Sequence, residues 1–174
     1  MPLGSDYEGQ SCSLARSLEV VGERWTLLIL RDLFFGVRRF GELQAHLDIP
    51  RAVLSARLAT LVEHGLVERR PYRPGRDELL LTACAVELWP AVFALLRWGD
   101  RHYAAGGGPG RLFAHDACGT DVDDQGRCAT CARIPEPAEL VMRPGPGAPS
   151  APRADAVSRA LREPHRLLTP LVTG

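Results

Sequence analysis

Lysine is absent from the sequence: all 21 basic residues are arginine, and 21 acidic residues balance them to a formal net charge of zero. A neutral chain has no bulk attraction to nucleic acid, so any DNA affinity has to arise from a local arrangement of charge. The sequence also lacks a signal-peptide-like apolar segment at its N-terminus and an apolar run long enough to cross a bilayer. We therefore expect a cytoplasmic protein that does not enter a membrane.

Catalytic signatures are missing as well. The sequence has no nucleophile elbow, no phosphate-binding loop and no histidine in a motif with paired carboxylates. Its 5 histidines are scattered along the chain, at His46, His64, His102, His115 and His165. An enzyme is therefore not predicted, and a binding function is favoured.

The central segment, residues 22–76, has the order of elements of a winged helix-turn-helix. Apolar residues at helical spacing predict a first helix that Gly36 ends, followed by a helix pair over 38–47 and 50–64. The turn between the paired helices is about three residues, as a helix-turn-helix requires. Strands predicted on both sides of residues 72–76 complete a hairpin wing. The predicted fold is therefore mainly α with a small β-hairpin.

The outward face of the second paired helix is small and nearly uncharged, which suits insertion into a major groove. Arginines and a tyrosine flank it, at the start of the preceding helix and on the wing, where they are positioned for phosphate or minor-groove contacts. An alanine-rich helical hairpin with a solvated charge cluster is the alternative, and the residues alone leave it open. The predicted DNA-contacting residues are Arg38, Arg39, Arg51, Ala52, Ser55, Ala56, Tyr72, Arg73 and Arg76.

Several short motifs in this region resemble, in their order, the HxlR family of bacterial transcription regulators. They are Gly22-Glu23-Arg24-Trp25, Gly36-x-x-Arg39-Phe40-x-Glu42-Leu43, Leu54-Ser55-x-x-Leu58-x-x-Leu61, Gly65-Leu66-Val67, Leu81-Thr82 and Trp98-Gly99. The resemblance covers residues 12–103 and departs from the usual family residues at Ser13, Ala85 and the wing tip, 73–77. It implies a homodimeric winged helix-turn-helix that binds an inverted-repeat operator in double-stranded DNA and regulates neighbouring genes, with repression the expected outcome.

Residues 82–103 are apolar around much of a helical circumference, more than the core of one monomer needs. We therefore predict a long C-terminal dimerisation helix, with Pro90 introducing a kink or a break. A planar small-molecule effector between this helix and the first helix would suit the same aromatic residues, which are equally suited to a core. Residues 11–104 then form the DNA-binding and dimerisation domain.

The N-terminal helix places Cys12 in its first turn, behind Ser11 as N-cap. There the helix dipole favours the thiolate, the form that reacts with oxidants and electrophiles. Cys12 is therefore a redox-sensing candidate, and a small residue packed at a dimer seam is the alternative. Leu14, Leu18 and Val21 of this helix are predicted to face inward.

A glycine-rich hinge at 105–110 separates this domain from a cysteine-rich module at 111–142. The module contains an H-x2-C-x9-C-x2-C pattern, whose two knuckles have the spacing that lets them share one metal. Four such ligands form a closed tetrahedral site, so the predicted zinc is structural and the module is zinc-ribbon-like. Reduced free cysteines, or a redox disulfide within the second knuckle, are the alternatives. The predicted ligands are His115, Cys118, Cys128 and Cys131.

The remaining residues, 143–174, are predicted to form a proline- and glycine-rich linker and a short C-terminal helix. Whether that helix docks on the body, docks on the partner chain or stays mobile is open from sequence. The functional prediction is a dimeric, sequence-specific DNA-binding transcriptional regulator that responds to a small molecule or to redox state. The alternative is a protein-interaction adaptor that acts through the cysteine-rich module and the tail.

Overall fold

The computed structural model describes residues 12–104, 107–151 and 153–173. In chain order, the helices are α1 (Ser13–Val21), α2 (Thr26–Phe34), α3 (Phe40–Leu47), α4 (Arg51–Glu63), α5 (Ala83–Val86), α6 (Trp89–Tyr103) and α7 (Ala156–Ala160). The strands are β1 (Val67–Arg73), β2 (Arg76–Leu81), β3 (Arg111–His115), β4 (Leu140–Pro144) and β5 (His165–Arg166). They form an antiparallel pair, β1-β2, and a three-stranded antiparallel sheet in the order β3-β4-β5.

These elements confirm the predicted class, a mainly helical chain with small antiparallel sheets. The prediction that Ser11 caps α1 with Cys12 in its first turn is wrong, because Cys12 has an extended backbone and is itself the N-cap. Ser11 and the hinge residues 105 and 106 lie outside the described ranges. Within those ranges, none of the helices has both the length and the apolar character needed to cross a bilayer.

The helix-turn-helix consists of α3 and α4, whose buried apolar residues form one hydrophobic cluster with those of α2. Apolar side chains at helical spacing fill the space between the three helices, and Ile29, Phe34 and Leu58 are completely buried. Asp48 follows α3 in a left-handed conformation with φ 53°. This turn brings the chain into α4 within a few residues, as the sequence predicts.

Both paired helices begin later than predicted. Helix α3 begins at Phe40 because the preceding Arg39 has an extended backbone, with φ −106° and ψ 138°. Helix α4 begins at Arg51, and Pro50 occupies its N-cap position. Arg38 and Arg39 therefore lie in the connection between α2 and α3.

The wing is the β1-β2 hairpin, and its turn is tighter than predicted. The strands extend to Arg73 and Arg76, which pair across the hairpin, so the turn consists of Pro74 and Gly75. Gly75 has φ 69°, the left-handed conformation that a tight hairpin turn favours. The two arginines are therefore next to each other at the tip of the wing.

The predicted long helix over 82–103 is divided into two helices. Glu87 and Leu88 separate α5 from α6. Of the kink and the break predicted at Pro90, the break is therefore the one observed. Pro90 lies in the first turn of α6, where a missing N–H is harmless because it would have no intrahelical acceptor.

The cysteine-rich module packs against the core of the DNA-binding domain. The ring centroid of the buried Phe113 in β3 lies 5.4 Å from that of Trp89 and 5.6 Å from that of Phe93. Arg97 of α6 is buried over the rings of Phe93 and Phe113, and it donates to the Arg111 carbonyl. The module is thus continuous with the hydrophobic core of the helices.

The residues after the module also fold onto the body. Strand β4 continues to Pro144, and the following Gly145 N–H donates to the Gly110 carbonyl of the hinge. Helix α7, capped by the Asp155 side chain, packs beside α3, and the following Leu161 is completely buried. Strand β5 then pairs with β4. Of the alternatives for the C-terminal segment, docking on the body of the same chain is therefore the one observed.

Candidate nucleic-acid interface and metal cluster

Helix α4 separates a buried face from a small exposed face. Leu54, Leu58 and Leu61 are completely buried on the inner side and hold the helix against the body. The outer side presents small residues and one arginine, all exposed, namely Arg51, Ala52, Ser55 and Ala56. A helix that is anchored on one side and lacks bulky side chains on the other can approach the floor of a major groove.

The start of α4 is attached to the start of α3. The Arg51 guanidinium carbon lies 5.0 Å from the centroid of the Phe40 ring, the geometry of a cation–π contact. Arg51 therefore stands where the N-terminal ends of the two helices meet. Backbone N–H groups at helix N-termini favour anions, so this is a suitable position for a phosphate or a guanine edge.

The Tyr72 ring on the wing contacts the segment between α2 and α3. The guanidinium carbons of Arg39 and Arg73 lie 5.4 Å and 6.0 Å from its ring centroid. Arg76 is exposed and pairs with Arg73 across the hairpin. The structure thus brings the predicted wing and connection residues Arg39, Tyr72, Arg73 and Arg76 onto one surface.

Arg38, by contrast, has partners inside the protein. Its guanidinium donates to the Leu168 carbonyl at 2.8 Å and lies 3.9 Å from the Glu78 carboxylate. Burial lowers the pKa of Arg38, and the Glu78 charge opposes that effect. A phosphate contact, as predicted from sequence, would require Arg38 to leave both partners.

Strand β1 carries two exposed arginines that the sequence prediction did not include. Arg69 and Arg70 lie opposite Leu79 and Glu78, and the Arg70 guanidinium is 3.8 Å from the Glu78 carboxylate. The available signal was the pair of adjacent arginines in a strand of a two-stranded hairpin, which leaves both faces of the strand open to solvent. They enlarge the basic surface of the wing.

A buried carboxylate fixes the angle between α2 and α3. Asp32 is completely buried and accepts two hydrogen bonds from Arg31, at 2.9 and 2.7 Å. Its second oxygen lies 2.6 Å from Nδ1 of His46 in α3. A buried charge with partners on two sides holds these elements in one arrangement, because losing either partner would leave it unpaired.

The four predicted metal ligands converge at the end of the three-stranded sheet. His115 ends β3, Cys118 lies in the turn after it, and the second knuckle returns to the same point. The Cys118 sulfur lies 3.5 Å from Nδ1 of His115, 3.5 Å from the Cys128 sulfur and 3.7 Å from the Cys131 sulfur. His115 and Cys128 are buried, whereas the other two ligands are exposed.

These distances fit a tetrahedral metal ion. Zinc bonds of about 2.3 Å to sulfur and 2.0–2.1 Å to nitrogen separate neighbouring ligand atoms by about 3.5–3.8 Å. A disulfide would require sulfurs about 2.05 Å apart, and all three cysteines are free thiols. The cluster of His115, Cys118, Cys128 and Cys131 can therefore hold a metal ion.

Hydrogen bonding already favours a thiolate within the cluster. Bonds from Thr120 lower the pKa of the Cys118 thiol to about 6, with further contributions from Cys128 and Cys131. The hydrogen bond that Cys131 donates to Cys118 raises the pKa of the Cys131 thiol to about 11. A metal ion binds thiolates, so it would replace the protons that these sulfurs share.

Arg133, which lies outside the ligand pattern, faces the outer nitrogen of His115. Arg133 lies 3.2 Å from Nε2 of His115 and forms a salt bridge with Glu139 at 2.6 Å. The hydrogen bonds from Arg133 hold the pKa of Glu139 at about 2. Sequence spacing gave no signal for this pair. A histidine that binds metal through Nδ1 carries a proton on Nε2, which arginine cannot accept, so metal binding would require Arg133 to move away from that nitrogen.

Comparison with protein families gives a match to the family described as HxlR-like helix-turn-helix over residues 20–106. The HTH-type transcriptional regulator Rv3095 of Mycobacterium tuberculosis is 45% identical over 147 residues, which cover 83% of this chain and 92% of that protein. The HTH-type transcriptional regulator sll1512 of Synechocystis is 34% identical over 95 residues, covering 53% of this chain and 70% of that protein. The mycobacterial similarity thus extends beyond the segment that matches the family.

Two solved structures are also similar. The crystal structure of PA1607, a proposed transcription factor, has a TM-score of 0.61 and 36% identity, and the match covers 72% of this chain and 90% of that one. The redox regulator HypR in its oxidized form has a TM-score of 0.50 and 26% identity, covering 52% of this chain and 97% of that one.

Proposed function

This chain belongs to the HxlR-like helix-turn-helix family, whose named relatives are transcriptional regulators and not enzymes, and on that premise we propose that it is a dimeric, sequence-specific repressor. The observation that carries the proposal is the small exposed face of α4 beside the cations of the wing. In a chain with zero net charge, this surface supplies the local positive charge that DNA binding requires.

In the proposed complex, α4 lies in the major groove. The methyl groups of Ala52 and Ala56 contact thymine methyls, while Ser55 and Arg51 bind base edges or phosphates. Arg39, Tyr72, Arg73 and Arg76 bind the flanking backbone, and the wing arginines reach toward the minor groove. Each monomer reads one half of an inverted repeat, because a two-fold dimer presents its two recognition helices symmetrically.

The exposed apolar side chains support the dimer. Leu14 and Leu18 of α1, which were predicted to face inward, are 66% and 40% exposed in the single chain. Leu95 and Trp98 of α6 are 51% and 47% exposed, and a groove of about 570 Å³ lies between α2 and α6. A second copy of the chain would cover this surface, since α6 already uses its other face in the core.

Leu95→Glu should convert the dimer into a monomer without unfolding it. The new carboxylate would be desolvated in the proposed interface, raising the dimer dissociation constant by about 100-fold. Light scattering coupled to size-exclusion chromatography measures the change. Ile134→Glu is the matched control, because Ile134 is another exposed apolar residue, 58% accessible, outside this surface. A dimeric Leu95→Glu protein would contradict the proposed interface.

Arg39→Ala should weaken binding to operator and random DNA by similar factors and reduce the salt slope of binding by about one. Arg38→Ala should leave the salt slope unchanged, because Arg38 binds the Leu168 carbonyl inside the protein. Titrations at several salt concentrations compare the two variants. If Arg38→Ala lowers the salt slope as Arg39→Ala does, Arg38 contacts a phosphate and the internal assignment is wrong.

The function as a whole is tested by fluorescence anisotropy with the upstream DNA of the protein's own gene and a random duplex. Salt-sensitive binding that prefers the upstream DNA, together with reduced transcription from that promoter in a reconstituted reaction, is the expected result. Equal affinity for both duplexes would contradict sequence-specific regulation at this promoter. Transcription that rises with bound protein would contradict repression.

We further propose that the cysteine cluster holds one structural zinc ion, with all four ligands supplied by the chain, so that no position remains for a substrate.

Two features are candidates for the regulatory signal. Cys12 is exposed at the N-cap of α1, which suits a redox sensor, and the similar protein HypR is described as a redox regulator. The groove between α2 and α6, at the proposed dimer interface, is the candidate site for a planar effector. Repeating the DNA-binding titration with and without peroxide, for the wild type and for Cys12→Ser, tests the redox signal. A peroxide effect on DNA binding that Cys12→Ser retains would contradict Cys12 as the sensor.

A further inference from the structure

The C-terminal strap, residues 165–173, lies along the connection between α2 and α3. The Leu168 N–H donates to the Phe34 carbonyl at 2.8 Å, and the Leu171 N–H donates to the Gly36 carbonyl at 2.9 Å. A side chain at Gly36 is excluded, because its Cβ would lie 1.9 Å from a carbonyl oxygen of the strap. Gly36 also has φ 83°. The strap and this connection are therefore closely fitted to each other.

Side chains at the start of the helix-turn-helix bind the strap as well. Arg38 donates to the Leu168 carbonyl, and the Thr173 hydroxyl donates to Oε1 of Glu42 at 2.7 Å. The same Glu42 oxygen lies 3.5 Å from the Arg39 guanidinium. The strap therefore shares a carboxylate with Arg39, one of the proposed phosphate-binding residues.

At its other end the strap belongs to the sheet that carries the metal cluster. Strand β5 pairs with β4, and the Leu167 N–H donates to the Leu140 carbonyl at 2.9 Å. Leu140 is the cross-strand partner of His115, a member of the cluster. A short path of backbone contacts thus leads from His115 through Leu140 and Leu167 to Leu168, which binds α2.

From this path we propose that metal occupancy of the cluster controls DNA affinity through the strap: loss of the metal releases the strap and weakens DNA binding. The proposal rests on the metal and DNA-binding functions proposed above. The segment between β3 and β4 contains isolated β-bridges and a short 3₁₀ turn in place of a regular sheet. A metal bound there contributes directly to the folding of the segment.

Release of the strap weakens DNA binding for two reasons. The connection between α2 and α3 loses the hydrogen bonds that Leu168 and Leu171 donate to it. Glu42 loses the Thr173 hydroxyl and is left to pair with Arg39, which then carries less free charge for a phosphate. Phe113 remains packed against Trp89 and Phe93, so the module stays attached and the change is confined to the strap.

Hydrogen exchange of the full chain, with and without zinc, tests the coupling directly. Zinc removal by a chelator under reducing conditions should accelerate exchange of the Leu168 and Leu171 amides by about tenfold or more, while α4 amides such as that of Leu58 stay protected. Operator affinity should fall by about tenfold. Unchanged exchange in the strap after zinc removal would overturn the proposal, whatever happens to DNA binding.

A strap variant separates this proposal from those on which it rests. Thr173→Ala removes the contact with Glu42 and no metal ligand, so it should lower operator affinity while zinc content stays at the wild-type level. Wild-type affinity in Thr173→Ala would contradict the role of the strap. A zinc-loaded wild-type chain that binds no DNA would refute the regulator function instead, and exchange in the strap would still report whether metal and strap are coupled.

Discussion

Replacing Cys128 by serine should abolish the binding of one zinc ion per chain and lower the melting temperature by about 10 °C. Cys128 is completely buried, and its sulfur lies 3.5 Å from that of Cys118. Serine is a poor zinc ligand, and its hydroxyl would be buried beside the remaining thiols. Structural zinc contributes folding free energy outright, and each kcal/mol shifts the melting temperature of a chain of this size by about 2–4 °C.

Elemental analysis of protein purified without chelator measures the zinc content, and calorimetry measures the melting temperature. Cys84→Ser is the matched control, because Cys84 is an exposed free thiol in α5, outside the cluster. It should retain both the zinc and the wild-type melting temperature. Wild-type protein that contains no zinc, or a Cys128→Ser protein that retains it, would contradict the zinc assignment.

The ligand set was predictable because each knuckle is local in sequence. Two ligands separated by two residues share one tight turn, so their convergence needs little information from the rest of the chain. The outer neighbour of His115 is different, since Arg133 reaches it only after the chain has passed through both knuckles. Glu139 in turn reaches Arg133 because the short 3₁₀ turn before β4 returns the chain to the sheet. Such contacts depend on tertiary structure, and no sequence period encodes them.

The same distinction, between contacts that are local in sequence and contacts that depend on tertiary structure, explains which predictions of burial were correct. The apolar residues of α1 predict that one face of this helix is covered, but they do not say by what. The prediction that Leu14 and Leu18 face inward is wrong for the single chain, which leaves them exposed. Helical periodicity was sufficient for α2 to α4, because those helices bury their apolar faces against each other.

Docking of the C-terminal segment could not be predicted because its composition is that of a linker. Its prolines and glycines favour an extended chain, yet an extended chain can also pair with an open strand edge. The groups that select the docked arrangement are distant in sequence: the contact between Arg38 and Leu168 spans 130 residues. From sequence, Gly36 indicated only the end of a helix. Its second role is to leave room for the strap, and that role depends on the folded position of the C-terminal segment.

Ala56→Glu should abolish operator binding, reducing affinity by about 100-fold or more, with little effect on folding. Ala56 is exposed on α4, so a carboxylate there is solvated in the free protein and costs little stability. In the proposed complex the same carboxylate would be desolvated in the major groove and repelled by the phosphates on both sides. Anisotropy titration against the operator measures the loss, and circular dichroism with thermal melting checks the fold.

Ala83→Glu is the control for Ala56→Glu, because Ala83 is also exposed and begins a helix outside the helix-turn-helix and the wing. It adds the same charge to the whole chain, so a general electrostatic effect would weaken DNA binding equally in both variants. A large loss for Ala56→Glu alone would place the outward face of α4 against the bases. Near wild-type affinity for Ala56→Glu would exclude α4 as the recognition helix and transfer the proposed DNA contact to the wing arginines.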